Sequence, residues 1–140
     1  MLLSPPYTVV VVEDGHDLRT LWSLFLERDG RFDVVAEAED GRAGVLAVRQ
    51  HQPDLVLLDI DMPVMDGVQA LALMRRHSPS SAVVMLSSLG RESARVAHAL
   101  ALGAHGYLRK GMSRTELLSR LETIARHRPG AHTQPARHQH

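Results

Sequence analysis

Short apolar runs alternate with amphipathic stretches along the chain. Residues 7–13 (YTVVVVE) are almost wholly apolar and β-branched, as in a strand buried on both faces. From 16 to 28, Leu18, Leu21, Trp22, Phe25 and Leu26 fall at helical spacing with charges between them, and Asp29-Gly30 ends that helix. Residues 32–36 predict a second strand. A second helix opens at Asp40-Gly41, uses Ala43, Val45, Leu46 and Val48, and stops before Pro53. Residues 55–58 (LVLL) predict a third buried strand, followed by a loop punctuated by Pro and Gly at 59–67. A third helix over 68–77, a fourth strand over 82–86, an Ala-rich fourth helix over 92–102 closed by Gly103, and a short fifth strand over 106–108 follow. Ser113-Arg-Thr-Glu116 has the form of a capping box. It opens a fifth helix on Leu117, Leu118, Leu121, Ile124 and Ala125.

Strand and helix thus alternate five times. Doubly buried strands in strict alternation with helices predict an α/β fold, a doubly wound parallel sheet covered on both faces. Right-handed crossovers place all strand C-termini on one edge, where open α/β sheets carry their sites. Residues 1–6 read as an N-terminal extension, 7–127 as one domain, and 128–140 (RPGAHTQPARHQH) as an aperiodic flexible tail or linker stump. His132, His138 and His140 in that tail are too irregularly spaced to favour a metal site.

Composition narrows the picture. One domain is the expectation at 140 residues, with hydrophobic residues at 44% and charged ones at 23%. The absence of Cys excludes disulfides, thiolate metal sites and Cys nucleophiles. No apolar run reaches the ~18 residues of a membrane span, and the N-terminus lacks the features of a signal peptide. A cytoplasmic protein with no membrane association is expected. Zero net charge gives no case for direct nucleic-acid binding by the chain. The zero is nevertheless a sum of opposites: residues 1–66 carry 13 acids and 5 bases, residues 67–140 carry 3 acids and 11 bases. Fifteen of the sixteen bases are Arg, and the one Lys is Lys110.

The predicted strand ends hold the chemistry. Strand 1 runs into Glu13-Asp14, strand 3 into Asp59 with Asp61 two residues on, strand 4 into Ser87-Ser88, and strand 5 into Lys110. With strand order 2-1-3-4-5 taken as a premise, strands 1 and 3 adjoin, and Glu13, Asp14 and Asp59 meet. Carboxylates so crowded repel unless a cation joins them, and all-oxygen ligands suit a hard divalent ion, Mg²⁺ or Mn²⁺. A carboxylate, a divalent ion, a hydroxyl and a lysine suffice for aspartyl phosphate chemistry.

On these residues the chain resembles the receiver domain of two-component response regulators. The matching stretches are Val11-Val12-Glu13-Asp14, the run DLVLLDIDMPVMDG at 54–67, Val83-Val84-Met85-Leu86-Ser87, and residues 103–110 (GAHGYLRK). The resemblance implies a flavodoxin-like (βα)5 fold with strand order 2-1-3-4-5. It implies Asp59 as phosphoacceptor, Asp14 and Asp59 as direct metal ligands, Glu13 as a ligand through water, and the Asp61 backbone carbonyl as a further ligand. Ser87 and Lys110 would hold the phosphoryl group, and Ser87 with Tyr107 would form the switch. The partner would be a sensor histidine kinase or a phosphotransfer protein, met by the first helix and the loop after strand 5. The output surface, and the face of a homodimer, would be formed by helix 4, strand 5 and helix 5. The chain would catalyse only its own phosphorylation and dephosphorylation.

Two departures bear on this. Gly111 stands where many members have Pro after the lysine, which puts the family's cis bond there in question. Gly at that position occurs in receivers with a helix-turn-helix output, the NarL/LuxR-like group. Asp61 and Leu89 occupy positions that tune dephosphorylation in the family, and Asp61 adds a further negative charge. A rival reading is a haloacid-dehalogenase-like phosphatase with Asp59 as nucleophile and Asp61 as acid/base, since LVLLDID fits its strand-DxD signature. That superfamily puts the DxD strand first and further acids later, whereas here the acid pair lies upstream. A flavodoxin-like binder would need a Gly-rich loop after strand 1, and only Gly15 is there.

Overall fold

The computed structural model describes residues 5–62 and 67–133. In chain order the elements are β1 (Tyr7–Val12), α1 (His16–Asp29), β2 (Phe32–Ala38), α2 (Gly41–His51), β3 (Leu55–Asp59), α3 (Gly67–His77), β4 (Ala82–Ser87), α4 (Ala94–Ala101), β5 (Gly106–Arg109) and α5 (Arg114–Arg126). A 3-10 turn follows at Pro129–Thr133. The strands form one parallel sheet ordered β2-β1-β3-β4-β5. This is the doubly wound (βα)5 arrangement expected from the alternation.

Period-2 alternation within each strand separates two cores. Val10, Val12, Val56, Leu58, Val83 and Met85 face α2, α3 and α4, where Val45, Val48, Leu71, Met74, Val96 and Ala99 complete the packing. Val9, Val11, Leu55, Leu57, Val84 and Leu86 face α1 and α5, meeting Trp22, Leu26, Leu117, Leu121 and Ala125. Trp22 is 5% exposed and stacks edge-on to Phe25, so it is core. Gly44 permits the close seat of α2 on β1: a Cβ there would lie 2.9 Å from the Val12 methyls.

Helix ends follow their signals. Gly30 ends α1 in the left-handed region at φ 86°. The Asp40 carboxylate caps α2 at the Ala43 amide, and Ser113 caps α5 at the Glu116 amide, 3.2 Å away. The fourth helix is shorter than its Ala-rich pattern suggests. It begins at Ala94, because Ser93 accepts from the Arg95 amide and ends the preceding turn.

The expected boundary at 127 moves. Residues 128–133 belong to the fold: Arg128 is 1% exposed and its Nε lies 3.1 Å from Asp54 Oδ1. Its Nη1 donates to the Ala125 carbonyl, its guanidinium lies against the Tyr7 ring, and Gly130 N–H donates to Ser80 O. The pairing spans the sheet's N-terminal edge, a contact that local periodicity does not register. Residues 1–4 and 134–140 of the expected extension and tail, with His138 and His140, lie outside the described residues, as do Met65 and Asp66. No helix among the described residues is long and apolar enough to cross a membrane.

Candidate functional site

Register brings the candidate residues together. β1 and β3 pair as far as Val12 with Leu58, so Glu13 and Asp59 come next on neighbouring strands. Asp59 pairs with Leu86 in β4, and Ser87 pairs with Arg109 in β5. The Lys110 amide then donates to Ser87 O, fixing the root of the lysine side chain beside the acids. Glu13, Asp14 and Asp59 each present an oxygen within 4.8 Å of the others.

Asp59 is 1% exposed. Its Oδ1 accepts the Asp61 amide at 2.8 Å, and its Oδ2 lies 3.1 Å from Lys110 Nζ. Lys110 is shared: Nζ is 3.3 Å from Asp61 Oδ2 and 3.9 Å from Glu13 Oε1. Burial works against the ammonium, but Asp59, Glu13 and Asp61 together raise the Lys110 pKa above its ordinary value. Glu13 is 3% exposed, and burial, with Asp59 and Asp14 adding to it, pushes its pKa up to about 8 against the pull of the Gly15 amide. Glu13 Oε2 accepts that amide at 2.9 Å, whereas Oε1 is buried, 3.9 Å from Lys110 Nζ and with no hydrogen-bond partner among the described residues. A buried oxygen without a hydrogen bond, beside two further carboxylates, fits a hard divalent cation such as Mg²⁺.

Asp61 lies across the site from β4. Its carboxylate accepts from Ser87 Oγ, the Ser88 amide and Ser88 Oγ, each at 3.1 Å. Burial raises its pKa, but the Ser88 amide, the Ser87 hydroxyl and Lys110 outweigh this and hold the carboxyl below its ordinary value. The family resemblance pointed to Asp61 through its backbone carbonyl and as a position that tunes dephosphorylation, and the phosphatase reading through an acid/base role. The engagement of its side chain, and the part played by Ser88, were not legible from spacing.

Ser87 is fully buried, and its Oγ also accepts the Leu89 amide at 3.0 Å. Tyr107, 6% exposed, donates its hydroxyl to the Leu89 carbonyl, and the Arg91 guanidinium covers its ring. A groove of about 710 Å³ opens beside it, lined by Arg91, Arg109 and Arg120 together with Glu92 and Glu116. No cis peptide bond occurs among the described residues, and that includes Lys110–Gly111. Arg19 on α1 steadies the exit of β1, donating to Glu13 O at 2.9 Å while pairing with Glu37 on β2. Among charged residues on α1 only its position near the strand end could have marked it.

A sheet of this order with an acid-and-lysine edge defines a class of phosphotransfer switches. The chain matches the family model described as response regulator receiver domain over residues 9–122. It is 36% identical over 118 residues to the chemotaxis protein CheY of Listeria monocytogenes, covering 84% of this chain and 98% of that protein. It is 43% identical over 111 residues to protein-glutamate methylesterase/protein-glutamine glutaminase 2 of Nitratidesulfovibrio vulgaris, covering 79% of this chain but only 30% of that relative. Among solved structures, the signal receiver domain of the response regulator NarL from Mycobacterium tuberculosis superposes with a TM-score of 0.78 at 37% identity, covering 86% of this chain and 97% of that one. The chain therefore belongs to the response regulator receiver family. The dehalogenase-like reading has no support: the DxD pair stands at the end of the third strand in sequence order, inside a receiver fold.

Proposed function

We propose that the chain is a phosphoacceptor switch in which Asp59 takes a phosphoryl group from a histidine kinase or a phosphotransfer protein. One observation carries the reading: a buried carboxylate at the end of β3, salt-bridged to the chain's only lysine, stands within ligand distance of two further acids. An Asp59 oxygen forms the new bond to phosphorus, while the bond from phosphorus to the donor breaks and the leaving group departs with the electron pair. Lys110 supplies a compact positive charge to the phosphoryl oxygens, and Ser87 a hydroxyl donor. Glu13, Asp14, Asp59 and the Asp61 carbonyl would hold Mg²⁺ or Mn²⁺, whose charge, when bound, offsets that of the transferring group.

Downstream, Ser87 and Tyr107 form the switch, both held to the loop that leads into α4. A shift there alters the surface of α4, β5 and α5, where Arg91, Arg109 and Arg120 favour an acidic partner or the acids of a second copy. The chain acts as a signalling domain in the cytoplasm, with turnover confined to its own aspartyl phosphate. It spans about a third of the length of the methylesterase relative, and the relatives range over several kinds of output. Incubation with acetyl phosphate and Mg²⁺ should add one phosphoryl group to the intact mass, mapped to Asp59. Failure of the wild type to gain it, or equal labelling of Asp59→Ala, would overturn the proposal.

A further inference from the structure

The Asp61 side chain makes contacts that a backbone metal ligand does not need. Its Oδ1 accepts from Ser87 Oγ, and its Oδ2 accepts from the Ser88 amide and hydroxyl, each at 3.1 Å. Oδ2 also lies 3.3 Å from Lys110 Nζ. Four donors from the ends of two strands thus converge on one carboxylate. Two of them, the Ser87 hydroxyl and the Lys110 ammonium, are the groups a phosphoryl on Asp59 would engage.

We propose that Asp61 is an internal counter-anion that fills the phosphoryl-oxygen site of the unmodified protein, and that phosphorylation proceeds by displacing it. The inference rests on Asp59 being the acceptor. Its physical basis is the satisfaction of buried donors. Ser87 is fully buried, so its hydroxyl needs an acceptor in the resting state. Asp61 supplies a charged acceptor, which binds roughly twice as strongly as a neutral one. An arriving phosphoryl group competes with that carboxylate for the same donors and is repelled by its charge.

The contact reaches beyond the site. Ser87 Oγ accepts the Leu89 amide, and the Leu89 carbonyl receives the Tyr107 hydroxyl. A continuous hydrogen-bonded path therefore runs from Asp61 through the 87–89 backbone to the buried Tyr107. In the unmodified protein the loop is already held by an anion, and the switch works by exchanging one anion for another.

Amide exchange at Ser88 tests the contact without metal or phosphodonor. Ser88 is exposed, and its amide donates to Asp61 Oδ2. Asp61→Ala should speed its exchange about tenfold, the loss of one charge-assisted bond, while the Val84 amide inside β4 stays as protected as in wild type. With acetyl phosphate and Mg²⁺, Asp61→Ala and the isosteric Asp61→Asn should both label Asp59 faster, again by about tenfold for the alanine. A merely structural residue would slow labelling when removed. Unchanged Ser88 exchange in Asp61→Ala overturns the contact. Labelling of Asp59 at equal or lower rate in both variants overturns the displacement alone. A protein that takes no adduct in any form defeats the acceptor reading and the displacement with it, while Ser88 exchange still reports the contact.

Discussion

β3 is bounded by two aspartates five residues apart, and they live in opposite circumstances. Asp54, just before the strand at the N-terminal edge, is 7% exposed and fully engaged. It accepts the Thr8 amide at 2.9 Å and pairs with Arg128, while its own amide donates back to Thr8 Oγ1. Asp59 ends the strand and shares a single lysine with Glu13 and Asp61. One edge has a planar guanidinium locked by a carbonyl and a ring. The other has a point charge on a flexible stem, outnumbered by carboxylates. A fixed fork closes an edge permanently. A shared ammonium can exchange one anion for another, and the shortage of positive charge leaves the C-terminal edge open to a further cation.

Breaking the closed edge should produce the largest effect on stability. Arg128→Ala removes the cation from the buried Asp54 carboxylate, and Asp54→Asn removes the anion from the guanidinium. Each should cost about 3–5 kcal/mol in urea unfolding, the usual cost of breaking a buried ion pair by removing one member. Labelling of Asp59 in the folded protein should stay within about twofold of wild type, since the two aspartates stand at opposite ends of β3. A loss below about 1 kcal/mol would mean that the remaining charge finds water instead, and the contrast between edges would collapse.

The difference between the edges also explains what the sequence could show. The strands were legible because double burial leaves continuous apolar runs such as VVVV and LVLL. The acids, Ser87 and Lys110 were legible because each sits at the end of a strand, and parallel topology aligns strand ends. Arg128 was read as tail because its partners, Asp54 and Tyr7, lie far away in sequence, and Pro129-Gly130 beside it resembles a linker. The direction of the Asp61 side chain was hidden for the same reason. Whether it faces solvent or β4 depends on where Ser87 and Ser88 stand, and spacing within the loop carries no trace of that. The start of α4 was misplaced because Glu92 fits a helix, while the Ser93 cap overrides it.

The open edge should respond to pH through Glu13. Its pKa in the fold is about 8, against an ordinary value of 4.5. Between those values the native state holds a proton that the unfolded chain has released. Stability without metal is therefore full below about 4.5 and falls as pH rises towards about 8. The slope from this residue is at most about 1.4 kcal/mol per pH unit. Glu13→Gln should remove that slope in EDTA. Saturating Mg²⁺, which favours the ionised carboxyl, should flatten it in the wild type. Parallel urea midpoints for wild type and Glu13→Gln across pH 5–8 would refute the assignment.

The sharpest test makes the same substitution at both ends of β3 and expects opposite signs. Asp54→Asn removes the anion that Arg128 needs. Asp59→Asn removes one of three acids competing for Lys110, which keeps Asp61 and Glu13 as partners. The amide oxygen can still accept the Asp61 N–H that Oδ1 now receives. Above about pH 8, where Glu13 is ionised, relief of its repulsion exceeds the loss of one Lys110 contact, because that contact already competes with two others. In EDTA at that pH, Asp59→Asn should therefore stabilise the fold by about 1 kcal/mol, as when a site built for function is neutralised. Saturating Mg²⁺ should erase the gain, since the wild type then recovers the metal's charge and the variant has lost a ligand. A destabilised Asp59→Asn in EDTA would show that Lys110 satisfies all three acids at once, and that the C-terminal edge is as closed as its counterpart.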